Sequence, residues 1–138
     1  MKDVVRANFD ASVDAYDAYE RRTGRFAALS RCLHAEMAAR VEGPLDTVLD
    51  AGAGSGASTR AIADDVARPV ALDISREMLR EAPAPRVQGD FDHLPFAADA
   101  FDGVAFTASL FIAPDPTVAV AEAARVVRPG GVVGAVAP

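Results

Sequence analysis

The sequence predicts an α/β domain with a doubly wound parallel sheet, preceded by two helices. Three observations carry that expectation. Short apolar runs occur at residues 47–50, 69–74, 86–88, 103–107 and 132–137. Several are apolar at consecutive positions, as strands buried on both faces of a parallel sheet require. Helix signals separate most of these runs, and alternation of this kind implies right-handed crossovers. The first run opens directly into a turn with three glycines in five residues, Gly52-Ala53-Gly54-Ser55-Gly56.

The elements follow in order. Over residues 3–22, Val5, Phe9, Val13 and Tyr16 step by four, four and three, drawing one apolar helix face. Thr23-Gly24 breaks that pattern. Phe26, Leu29, Leu33, Met37 and Val41 mark a second amphipathic helix, stopped by Gly43-Pro44. Residues 1–43 therefore read as a helical cap, and 44–138 as the α/β core of a single domain. In the core, a helix starts near Ala57, and Ser75 caps a short helix through Leu79 and Arg80. Asp115-Pro116 supplies an N-cap with proline at the first helical position. That helix is expected to close with Arg125 and Arg128 in its last turn, before Pro129-Gly130-Gly131.

Composition bounds the function. A chain of 138 residues buries enough surface for one core without disulfides. Cys32 is the only cysteine, which excludes a disulfide framework within the chain and any four-cysteine zinc or iron–sulfur site. A net charge of −6 argues against a nucleic-acid backbone as the main partner. Basic charge is carried by thirteen arginines and a single lysine, Lys2. No run approaches the ~20 apolar residues of a membrane span. The opening Met1-Lys2-Asp3 begins no signal-peptide core, so the cytoplasm is the expected compartment.

Chemistry concentrates where the first strand meets the glycine turn. Glycine permits positive φ and close approach of a ligand to the main chain, and the following helix start offers unpaired N–H groups to an anion. Gly52-x-Gly54-x-x-Ala57 also fits the loose dinucleotide fingerprint. Asp73, twenty-one positions after Gly52, ends the next strand, where a carboxylate accepts hydrogen bonds from a ribose diol. That pattern suits an adenine nucleoside in general and leaves open a nicotinamide cofactor or S-adenosylmethionine.

The later segments narrow the choice. Gln88-Gly89-Asp90-Phe91-Asp92-His93-Leu94-Pro95-Phe96 precedes Ala100-Phe101-Asp102-Gly103-Val104, and Glu122 to Gly131 follows. Together with Val48-Leu49-Asp50-Ala51-Gly52-Ala53-Gly54-Ser55-Gly56 and Ala71-Leu72-Asp73-Ile74-Ser75, they resemble the class I S-adenosylmethionine-dependent methyltransferases. Within that superfamily the chain is similar to the group of quinone-biosynthesis C-methyltransferases and malonyl-carrier-protein O-methyltransferases. Phe9-x-x-Ser12-x-x-x-Tyr16-Asp17 is similar to the helical cap of that group, and the resemblance covers residues 9–137.

The resemblance implies a Rossmann-like sheet of five parallel strands in the order 3-2-1-4-5, S-adenosylmethionine as cofactor, and methyl transfer to a small-molecule acceptor. Asp50, Gly52, Gly54 and Gly56 match the motif around the amino-acid end of the cofactor. Asp73 matches the acid that holds the ribose hydroxyls, with Ile74 and Met78 forming an apolar floor beneath the adenine. Asp90 and Phe91 match the pair beside the adenine amino group. Thr107 lies where the family faces the sulfonium and the acceptor, and Tyr16 or Tyr19 is expected to close over the site from the cap.

No general base stands out. His34 falls within the second helix and reads as a packing or surface residue, whereas His93, in the loop beside the site, is the better candidate. The family usually continues with sixth and seventh strands, and neither follows residue 138 here. The chain is therefore expected to be a truncated core, or to cover the open edge of residues 132–136 with a partner such as a second copy. A cofactor-binding module without catalysis and a nicotinamide-dependent oxidoreductase are the alternative readings.

Overall fold

The computed structural model describes residues 2–138. Five strands form one sheet in the order β3-β2-β1-β4-β5, as the resemblance implies. They are β1 (Thr47–Ala51), β2 (Arg68–Asp73), β3 (Arg86–Gln88), β4 (Phe101–Thr107) and β5 (Val127–Val136). Every pairing is parallel. The central strand β1 alternates its apolar residues between two cores. Val48 packs with Leu33, Met37, Ile62 and Ala105 on one face. Leu49 packs with Phe106, Ala119, Ala123 and Val126 on the other. Burial on both faces explains the continuous apolar pattern of the strands.

The first face is covered by α3 (Arg25–Ala38) and α4 (Ala57–Ala61), the second by α6 (Pro116–Val126). The second helix of the sequence reading is thus part of the sheet's cover, held by the buried Leu33 and Met37. It ends at Ala38, before the Gly43-Pro44 expected to stop it. The short α5 (Arg76–Leu79) is capped by Ser75, whose Oγ accepts from the Met78 N–H at 3.1 Å.

Two expectations are corrected. The helix predicted over residues 3–22 is two helices, α1 (Lys2–Asp10) and α2 (Val13–Thr23). Ser12 interrupts it: its Oγ donates back to the Asn8 carbonyl at 2.5 Å and its backbone leaves the helical region at φ −109. The chain after α6 also departs from the expected helix-then-turn. The helix stops at Val126 and β5 begins at Val127, running straight through Pro129-Gly130-Gly131 with a register shift between Phe101 and Gly103. Arg128 therefore belongs to a strand, where its Nε donates to Asp102 Oδ1 at 2.6 Å. The same carboxylate accepts the N–H groups of Asp46 and Thr47 at 2.9 and 3.0 Å, tying the starts of β1, β4 and β5 together.

Candidate functional site

A cavity of about 280 Å³ lies at the carboxyl ends of the strands, roofed by α1 and α2. Its floor is built from the loops after β1, β2, β3 and β4, where ligands bind in doubly wound sheets. Gly52, Gly54, Asp73, Ile74, Met78, Asp90, Phe91, Thr107 and Tyr16 all line it. Asp50 and Gly56 do not.

The glycine turn is shaped by its surroundings. Gly52 has φ +81, and a Cβ there would lie 2.4 Å from Ser109 Cβ. Ser109 Oγ donates to the Ala51 carbonyl at 2.7 Å, locking the β4 loop against the end of β1. Gly54 differs: φ is +57, and a Cβ would meet only Met78 Sδ at 4.0 Å, so its main chain faces open space. Gly56, at φ +99, is required by packing outside the cavity, because a Cβ would lie 2.6 Å from Pro83 Cδ.

Two carboxylates organise this floor. Asp50 is 1% exposed; its Oδ2 accepts from the hydroxyls of Ser58 and Thr59, each at 2.6 Å. Its Oδ1 is buried without a partner. Burial pushes its carboxyl up to about 6, against those two hydroxyls, and the nearby Asp73 charge adds to the rise. Asp73 accepts the Gly54 N–H on Oδ2 at 2.8 Å and the Ser75 N–H on Oδ1 at 2.9 Å. Burial raises its carboxyl too, partly offset by those N–H groups. Each Asp73 oxygen retains a lone pair for a further donor.

At the β3 end, Asp90 Oδ1 accepts the Asp92 N–H at 2.9 Å, and Oδ2 lies 2.6 Å from Lys2 Nζ. Burial pushes the Asp90 carboxyl up, but Lys2 and the Asp92 N–H outweigh it and hold it below the usual carboxylate range. Phe91 stands edge-on to Phe106 at 5.3 Å. Thr107, 5% exposed, ends β4 with its hydroxyl buried and unpartnered in the cavity wall. The next residue, Ala108, takes φ +53, a left-handed conformation that alanine rarely adopts, and turns the chain toward the exposed Phe111.

The cap meets this floor at three loops. Asp17 accepts from Ser55 Oγ after β1, Asp10 from Ser75 Oγ after β2, and Lys2 reaches Asp90 and Asp92 after β3. Sequence reasoning missed these contacts, since nothing local marks Asp10 or Lys2 as a partner of a residue so far along the chain. Tyr16 stacks between Phe9 and Phe26 at 5.8 and 6.0 Å while lining the cavity. Tyr19 packs on Phe26 and Arg22 instead, away from the cavity. His34 sits on α3 with Nδ1 buried and unpartnered, His93 is exposed, and neither lines the cavity. Cys32 is exposed on α3. Among the described residues no cluster of His, Cys, Asp and Glu is placed to hold a metal ion, and no helix is long and apolar enough to cross a membrane.

Known proteins share this fold. The methyltransferase domain family matches residues 49–134. A demethylmenaquinone methyltransferase of Mycobacterium sp. (strain KMS) is 44% identical over 92 residues, 64% of this chain and 40% of the relative. The chain thus spans less than half the length of the curated relatives it matches. Among solved structures, a chain of the complex between the Haloferax volcanii Trm112 methyltransferase activator and a methyltransferase is similar over 92% of this chain and 58% of its own. Its TM-score is 0.74 at 33% identity. An S-adenosyl-L-methionine-dependent methyltransferase of Methanococcus maripaludis shares the fold, with TM-score 0.76 at 24% identity over 91% of this chain and 63% of its own. The family match spans more than half of the chain and coincides with the strands and loops that form the cavity floor. The chain belongs to the methyltransferase domain family and is a class I, S-adenosylmethionine-dependent methyltransferase fold.

Proposed function

We propose that this cavity holds S-adenosylmethionine and that the protein transfers its methyl group to a small, largely apolar acceptor in the cytoplasm. The observation that carries this reading is the open main chain at Gly54, set beside a carboxylate with spare lone pairs on Asp73. The residues fit that cofactor. Gly52 and Gly54 admit its amino-acid end, and Asp73 accepts from the ribose hydroxyls. Ile74 and Met78 flank the adenine, Asp90 accepts from the adenine amino group, and the Phe91 N–H donates to the ring. The buried Thr107 hydroxyl supplies a donor where the acceptor enters. Asp50 acts from beneath the turn, fixing α4 through Ser58 and Thr59.

When bound, the cofactor supplies a methyl group on a sulfonium, and transfer needs the accepting atom held in line with it. The acidic side chains lining the cavity are Glu20, Asp73 and Asp90. Glu20 accepts the Phe26 and Ala27 N–H groups at 2.8 and 3.1 Å, so it caps α3. No histidine lines the cavity. An acceptor that needs no proton removed by the protein, such as an enolate carbon or a carboxylate, suits this lining best. Phe9, Tyr16, Phe111 and Ile112 add apolar surface at the mouth. A quinone-like ring suits that surface and matches the name of the mycobacterial relatives.

Thermal unfolding with S-adenosylhomocysteine, and with NAD as control, tests the cofactor. A ligand at a hundred times its Kd stabilises by about 2.7 kcal/mol, a shift of several degrees for a domain of this size. The shift should appear with S-adenosylhomocysteine only, and Gly54→Ala should abolish it. No shift from a cooperatively folded chain overturns the reading.

A further inference from the structure

Helix α1 closes the cavity with very little apolar anchorage, since none of its residues is buried. Its polar holds on the core sit at its two ends. Asp10 accepts from Ser75 Oγ at the C-terminal end. At the other end, the chain's only lysine bridges two carboxylates, with Lys2 Nζ 2.6 Å from Asp90 Oδ2 and 3.0 Å from Asp92 Oδ2. Between these points Val5 and Phe9 face the cavity.

The Lys2–Asp90 pair also stands between two cavities. Lys2, Ile74, Gly89 and Asp90 line both the main cavity and an outer one of about 290 Å³, which opens past Arg6 and Gln88. The side chains are 42% and 28% exposed, so water and salt reach the pair and the cost of opening it is small. The pair occupies Asp90 Oδ2, while Oδ1 already serves the Asp92 N–H.

We propose that α1 is a lid over the cavity and Lys2 its latch, with Asp90 exchanged between the lysine and a ligand that brings its own hydrogen-bond donor. This rests on Asp90 being a ligand contact in the proposed site. Lys2 then governs how fast a nucleoside ligand enters, and, because the ligand must displace it from Asp90, it also sets back the affinity by the worth of the pair. The latch also favours ligands that offer a donor at Asp90 over those that present an acceptor there.

The test compares Lys2→Gln with Lys2→Arg and the unchanged protein, by two measurements. Amide exchange of α1 is read without ligand, and S-adenosylhomocysteine association and dissociation rates are read on protein immobilised through the exposed Cys32. In Lys2→Gln, α1 amides should exchange faster, and the association rate should rise about two- to fivefold, the worth of a half-exposed ion pair, with the dissociation rate nearly unchanged. Lys2→Arg should restore unchanged behaviour. Salt near 1 M weakens a contact pair this exposed, so it should reproduce part of the effect in the unchanged protein and add little in Lys2→Gln. Identical α1 exchange and identical rates in Lys2→Gln overturn the latch. If no protein binds S-adenosylhomocysteine, the cofactor reading falls, and the ligand-free exchange still decides whether Lys2 holds α1 down.

Discussion

Asp50 and Asp73 under the cavity, and Asp10 and Asp17 above it, are four carboxylates accepting hydrogen bonds from hydroxyls and amides. The lower pair is nearly inaccessible, at 1% and 8% exposed, whereas the upper pair belongs to helices with no buried residue. Below, burial has set the chemistry: the carboxyls are raised and the backbone is held at positive φ that residues with a side chain rarely adopt. Above, solvent has set it: Lys2 contacts and hydroxyl contacts hold helices that little apolar area supports. A floor made of burial is rigid, and a roof made of solvated polar contacts opens at low cost.

The largest test of this contrast compares two glycines of similar φ. Gly52→Ala should cost about 3 kcal/mol or more, because its Cβ would strike Ser109 Cβ at 2.4 Å. Gly24→Ala, between α2 and α3 at φ +61 with nothing within 4 Å, should cost only about 1–2 kcal/mol, the strain alone. Urea unfolding of both variants reads the difference, and equal losses would mean the floor is no tighter than the roof.

A smaller effect belongs to Asp50. Its folded carboxyl, raised to about 6, contributes stability at low pH that is lost as pH rises from its unfolded value through about 6. Asp50→Asn removes that loss. Relative to the unchanged protein, the variant should gain up to about 3 kcal/mol between pH 4 and pH 7.5. Unfolding midpoints at the two pH values check it, and parallel profiles would refute the buried-charge account.

The smallest effect is expected in the roof. Asp17→Asn weakens the contact to Ser55 and should move global stability by no more than about 0.5 kcal/mol. Faster amide exchange confined to α2 should still betray it. A loss as large as that of Gly52→Ala would erase the distinction between the two regions.

The same contrast explains what was legible in the sequence. The floor announces itself locally: consecutive apolar residues for β1, β2 and β4, three glycines in a row of five, and Asp73 at a strand end. The roof does not, because Ser75 and Asp10 are 65 positions apart and Ser55 and Asp17 38 apart. Ser12 was invisible as a breaker because the apolar periodicity runs through it, while its hydroxyl competes for the Asn8 carbonyl. Pro129-Gly130-Gly131 reads as a stop, yet the bulge beside Gly103 lets β5 start two residues earlier and carry on through it. Gly56 looked equivalent to Gly54 in the motif, and only the packing of Pro83 separates them.

The central place of β1 carries a consequence for the order in which the molecule assembles. Thr47 pairs with Arg68, twenty-one positions on, but Val48 pairs with Gly103, fifty-five positions on. Closing the longer loop costs about 1 kcal/mol more chain entropy. The unit of β1, α4 and β2 therefore has the shorter kinetic path, and it already contains Gly54 and the Asp73 carboxylate that accepts its N–H. Half of the cavity floor can be in place at the folding transition state, while Thr107 and Ser109 arrive later with β4. Conservative substitutions such as Val70→Ala should then slow folding, and Val104→Ala should mainly speed unfolding.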